Sequence, residues 1–163
     1  MKITLKKIYF TLIFFAILPT DSFSATAVGT ASARVVVPIA VTAGSSLQFG
    51  SFAASSTAGT INQAGVTTGG VLAIAGGSAR SAGTFTVTGE NSTNTAYTFS
   101  MPATVTLSSG SNSMTATLSY GSGNGARTLI SGTDTVTVNG VLAVGANQVA
   151  GAYTGTYTVT AVY

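Results

Sequence analysis

Met114-Thr115-Ala116-Thr117-Leu118-Ser119-Tyr120 alternates without a break: Met114, Ala116, Leu118 and Tyr120 share one parity, and Thr115, Thr117 and Ser119 the other. Successive side chains of a strand point to opposite faces, so a period of two predicts an extended segment with one face buried and one in water. Thr84-Phe85-Thr86-Val87-Thr88 and Tyr97-Thr98-Phe99-Ser100-Met101 repeat the pattern, again with bulky apolar residues on one parity and Thr or Ser on the other. β-Branched and aromatic residues fit a half-buried pleated surface. No window outside the N-terminal leader has a helical period.

Turn chemistry separates these runs. Asn139-Gly140 lies between Thr135-Val136-Thr137-Val138 and Val141-Leu142-Ala143-Val144. Both residues tolerate positive φ, so the pair predicts a type I′ hairpin. Gly69-Gly70, Gly76-Gly77 and the stretch Gly121-Ser122-Gly123-Asn124-Gly125 mark further loops. The last of these lacks the strand-to-helix setting and the lysine of a phosphate-binding loop, and is expected to be a hairpin loop. Strands at short spacing predict an all-β antiparallel sandwich or barrel.

The chain opens with Lys2, Lys6 and Lys7, an apolar run from Ile8 to Leu18, then Pro19 and Asp21. This is the layout of a secretory signal peptide, and the apolar run is too short for a stable membrane span. Ser22 and Ser24 supply the small residues for cleavage before Ala25, so residues 1–24 are expected to be removed and the rest exported. The formal charge of +3 then shrinks, because Lys2, Lys6, Lys7 and Asp21 leave and only Arg34, Arg80, Arg127, Glu90 and Asp134 remain. No basic patch for nucleic acid survives. Cysteine is absent, so packing and sheet hydrogen bonds must hold this exported domain together without disulfides.

Without the leader the chain has no His, Cys or Lys. The usual general bases, thiol nucleophiles, Schiff-base lysines and zinc ligands are therefore missing. Glu90 and Asp134 are the only carboxylate side chains, and both are expected to be solvated loop residues, Asp134 at the start of a strand. No catalytic, cofactor or metal site is expected, and no enzyme.

The two ends carry most information. From Ala25 to Ala43 every odd position is small or apolar, whereas the even positions include Thr26, Thr30, Ser32, Arg34 and Thr42. That alternation outlasts an ordinary strand. A first strand is expected near Val35–Thr42, preceded by an extension, Ala25–Arg34, that is patterned as a strand. At the other end Tyr157, Val159, Ala161 and Tyr163 share one face of a final strand.

Val37-Pro38-Ile39, Leu47-Gln48-Phe49-Gly50, Asn139-Gly140-Val141-Leu142 and Gly151-Ala152-Tyr153-Thr154-Gly155-Thr156-Tyr157 occur in an order that resembles bacterial chaperone–usher pilins. Within that group the chain is most similar to the secreted, cysteine-free proteins labelled domain of unknown function 4402, and more distantly to the spore coat protein U-like group. The resemblance implies an immunoglobulin-like antiparallel β-sandwich lacking its last strand, over residues 35–163. It implies a structural subunit of a surface filament or coat, serving adhesion or biofilm formation and located on the cell surface after passage through the periplasm. Its partners would be copies of itself or related subunits, joined head to tail, with a periplasmic chaperone and an outer-membrane usher. Ala25–Arg34 would be the donor strand, with Ala27, Gly29, Ala31 and Ala33 entering a neighbour's groove. Tyr157, Val159, Ala161 and Tyr163 would line the acceptor groove and form the chaperone's docking edge. Donor strands of such pilins usually carry larger apolar residues than these alanines and glycines. Tyr163 has two other readings, a core aromatic and a terminal signal for outer-membrane barrel assembly. Two other functions fit the composition: an outer-membrane β-barrel, and a monomeric surface binding module whose groove is filled by its own extension.

Overall fold

The computed structural model describes residues 23–92 and 94–163, so the expected signal peptide, residues 1–24, lies almost wholly outside the described residues. The chain divides into two units after Arg34. In the first part, residues 23–34 belong to no strand and are all exposed.

The second part is all strand and turn. In chain order come β1 (Ala40–Ala43), β2 (Gln48–Phe49), β3 (Phe52–Ala53), β4 (Gly59–Asn62), β5 (Thr67–Gly69), β6 (Leu72–Ala73), β7 (Arg80–Ser81) and β8 (Gly83–Thr88). They are followed by β9 (Thr95–Ser100), β10 (Thr104–Ser109), β11 (Asn112–Tyr120), β12 (Ala126–Leu129), β13 (Thr133–Val144) and β14 (Thr160–Val162). Every pairing is antiparallel. The large sheet runs β1-β8-β13-β11-β10, with β4 added beside β13 and β5 beside β4. A three-stranded sheet runs β12-β9-β14, and two short ribbons pair β2 with β7 and β3 with β6.

The alternation that predicts strands also fixes their faces. Met114, Ala116 and Leu118 are buried on β11, and Tyr97 and Phe99 on β9, while the intervening Thr and Ser are exposed. β1 starts later than the expected Val35, because Pro38 cannot donate to a ladder. The amide of Val37 instead donates to Glu90 Oε2 at 2.9 Å.

Asn139-Gly140 is not a hairpin. It sits inside β13, opposite Ser119 and Leu118 of β11. On the other edge of β13 the partner changes there, from β8 opposite Thr133–Val138 to β4 opposite Val141–Val144. At the junction Gln63 Oε1 accepts the Gly140 amide at 3.0 Å. Glycine is needed for space: a Cβ on Gly140 would lie 2.9 Å from Leu47 Cδ2 and from Phe49 Cζ. The tight turns lie elsewhere. Ser131 (φ 53°) and Gly132 (φ 78°) both have positive φ between the bridged pair Ile130 and Thr133, as a type I′ turn requires. Gly110 (φ 59°) opens the β10–β11 turn. The Gly121–Gly125 stretch is no hairpin loop either, since β11 lies in the large sheet and β12 in the small one.

The core has two parts. Val87 and Val136 of the large sheet meet Tyr97, Phe99 and Leu129 of the three-stranded sheet, which makes a two-layer sandwich. Beyond it, Ile61, Val105, Met114, Leu118 and Leu142 continue the large sheet's inner face. There the opposing layer is Phe49 and Phe52 of the two short ribbons together with Tyr153 and Tyr157.

Candidate functional site: an open cleft beside the C-terminal strand

β9 and β10 run in one direction, joined through Met101-Pro102-Ala103, and carry the chain from the small sheet into the large one. The C-terminal segment runs antiparallel to both. It meets β10 at the bridge Thr154↔Ser108, with both main-chain bonds formed at 2.8 and 3.1 Å, and meets β9 from Thr160↔Ser100 to Val162↔Thr98. Between these points Gly155–Val159 belongs to no ladder or bridge among the described residues. The β9–β10 side has more residues to accommodate over this interval, and they bulge at Pro102, which has no N–H to offer. A shallow cleft of about 580 Å³ opens at that bulge, lined by Met101, Pro102, Thr104, Thr156, Tyr157 and Thr158.

A larger cleft, about 870 Å³, is lined by the residues just before this stretch. One wall is Leu47–Ala54 and the other Gln148–Gly155, and Leu107, Met114 and Leu142 of the large sheet lie between them. The second wall is braced from within: Tyr153 donates its hydroxyl to the Val149 carbonyl at 2.7 Å and accepts from Gln148 Nε2 at 2.8 Å.

The four residues expected on the groove lie in three different settings. Tyr157 lines the shallow cleft, its ring edge-on to Phe85 at 5.9 Å, and burial raises its phenol pKa. Val159 and Ala161 pack against the second core. Tyr163 lines neither cleft. It is 48% exposed, which makes it no core aromatic, and its hydroxyl donates to the Val37 carbonyl at 2.8 Å and accepts from the Glu90 amide at 2.6 Å. Ala27, Gly29, Ala31 and Ala33 are exposed and in no strand. Leu107, Met114 and Tyr153 line the larger cleft and were not expected there. The parity of Met114 marked it as inward-facing, and periodicity cannot tell a covered inner face from an open one.

Asp134 is not a solvated loop residue. It lies in β13 and joins three strands: Tyr97 Oη of β9 donates to Oδ2 at 2.6 Å, Arg127 Nε of β12 to Oδ2 at 2.6 Å, and Arg127 Nη2 to Oδ1 at 3.1 Å. Those bonds, from Arg127 above all, hold the Asp134 carboxyl below its ordinary range. Burial and then the carboxylate push Tyr97 up to about 12, and the carboxylate raises Arg127 further. The triad keeps each group in its ordinary charge state at neutral pH, as a cross-strand pin requires.

Residues 39–163 match the family model described as Domain of unknown function (DUF4402). The chain belongs to the DUF4402 family. Neither a curated protein nor a solved structure matches it. The matched DUF4402 region takes in the fourteen strands found among the described residues and both clefts, and leaves Ala25–Arg34 outside.

Proposed function

We propose that this DUF4402 protein is a structural, pilin-like subunit of a bacterial surface filament or coat, assembled by donor-strand exchange and serving adhesion or biofilm formation. The observation that carries this reading is the cleft between Leu47–Ala54 and Gln148–Gly155, floored by Leu107, Met114 and Leu142 and continuous with a C-terminal stretch, Gly155–Val159, that belongs to no ladder or bridge among the described residues. An unpaired strand edge is a template for another chain. Strand addition supplies main-chain bonds, and alternate side chains of the added strand fill the space between the layers. Ala25–Arg34 has the required period and takes no part in any strand. In this role Ala27, Gly29, Ala31 and Ala33 of one subunit lie over Leu107, Met114 and Leu142 of the next. Such a contact is heterologous and does not close on itself, so it builds a filament. Alanines bury little area at roughly 25 cal/mol per Å², so backbone pairing carries a larger share of this joint than in pilins with bulky donors. A periplasmic chaperone covers the same edge before assembly, and an usher exchanges one for the other at the outer membrane.

The test is deletion of Ala25–Ala33 in the exporting host. The subunit should still reach the periplasm, while polymers seen by electron microscopy disappear. Normal polymers from the deleted chain would overturn donor-strand exchange.

A further inference from the structure

The chain contains two Asn-Gly pairs, Asn124-Gly125 and Asn139-Gly140, and the fold treats them in opposite ways. Asparagine before glycine is the dipeptide most open to intramolecular attack, because glycine has no side chain to hinder its own amide. At Asn139-Gly140 the attacking nitrogen is engaged: Gly140 is buried, its amide donates to Gln63 Oε1 at 3.0 Å, and both residues sit in the β11–β13 register. At Asn124-Gly125 the asparagine is exposed, outside any strand, next to Gly123 at φ 67°. No main-chain bond from the Gly125 amide is found among the described residues, although its carbonyl accepts from Phe99 at 2.7 Å.

Each member of the exposed pair has its own structural reason. A Cβ on Gly125 would lie 2.6 Å from the Phe99 carbonyl oxygen, so only glycine fits. Asn124 Oδ1 accepts from the Ala126 amide at 2.9 Å and so starts β12. Together they create a reactive pair that neither role needs.

We propose that Asn124 is a site of spontaneous deamidation in the folded protein and that Asn139 is protected from it. The Gly125 nitrogen loses its proton and bonds to Asn124 Cγ, and ammonia leaves, closing a succinimide. Water then opens the ring at either carbonyl and gives aspartate or isoaspartate at position 124. No enzyme, metal or oxidant is needed. The change places a negative charge in the loop whose Ser122 carbonyl already holds Arg127 Nη1 at 3.3 Å. In an exported domain with so few charges, one new carboxylate cancels its small positive excess.

The test incubates the intact folded protein at mildly alkaline pH and digests it with trypsin. Cleavage at Arg127 puts Asn124 and Asn139 in separate peptides, and tandem mass spectrometry locates the NH-to-O exchange. Conversion at Asn124 should outrun that at Asn139 by about tenfold or more, because reaction at Asn139 first needs local opening of a ladder. In denaturant the two rates should converge, and N124Q should abolish the fast event. Equal rates in the folded protein, or an intact Asn124 where the denatured chain converts, would overturn the proposal.

Discussion

Tyr163 and Val37 are joined across 126 positions of sequence by one hydrogen bond, the phenol donating to the carbonyl at 2.8 Å. The same hydroxyl accepts from the Glu90 amide, so a single oxygen ties the last residue to the strand entrance and to the loop after β8. Gly89 makes room for it, since a Cβ there would lie 2.2 Å from that hydroxyl. Y163F keeps the ring and removes both bonds. A net hydrogen bond contributes about 0.5–1.5 kcal/mol, and this one is half in solvent, so a loss of about 1 kcal/mol is expected. Thermal unfolding should show it as a fall of about 3–6 °C. An unchanged midpoint would mean that water replaces both partners.

The Tyr97–Asp134–Arg127 pin predicts a pH dependence at both extremes. Asp134 has a folded pKa below its unfolded value, so the stability it contributes is present above the unfolded pKa near 3.8 and is lost as pH falls through the folded one. Tyr97 has a folded pKa raised from 10.0 to about 12, so its contribution is complete below pH 10 and drains away between there and about 12. Urea unfolding midpoints measured across pH should therefore drop at both ends. D134N should be less stable at neutral pH and should lose part of the acid slope. Y97F should flatten the alkaline limb. If D134N retains the full acid slope, the pin is not its source.

Gly140 separates a turn from a strand. With ordinary φ and a Cβ site pressed against Leu47 and Phe49, G140A should fail through crowding, not through backbone conformation. A cost of about 1–3 kcal/mol is expected, as for other overpacked core positions. The double variant with L47A should recover part of it by opening the same space, which chemical denaturation of both proteins can measure. A glycine required by a type I′ turn would gain nothing from the second change.

These residues also show where the sequence was legible. Alternation placed Met114, Ala116 and Leu118 correctly because one face of β11 is wet and the other buried, and only a period of two satisfies both. Asn139-Gly140 misled because turn chemistry describes what a dipeptide permits, while the large sheet needed a twelve-residue strand there and a gap for Phe49. The true I′ turn at Ser131-Gly132 has a serine at φ 53°, a weaker local signal. The cleft was legible only in part. The parity of Tyr157 and Val159 gave the direction of their side chains, but which stretch of inner face lacks a covering strand depends on partners distant in sequence.

The extension offers the sharpest test of the assembly model, because a strand is periodic and a flexible leader is not. In the proposed joint Ala31 faces the apolar cleft floor and Ser32 faces solvent. A31D would bury an unpaired carboxylate against Leu107, Met114 and Leu142, at a cost of several kcal/mol. S32D would leave its charge in water and cost within about 0.5 kcal/mol. Both residues are exposed in the free chain, so neither change should move the thermal midpoint of the isolated subunit. Polymer yield, read by electron microscopy of the surface fraction, should therefore collapse for A31D and stay normal for S32D. Equal yields from the two would mean that the segment does not insert as a strand.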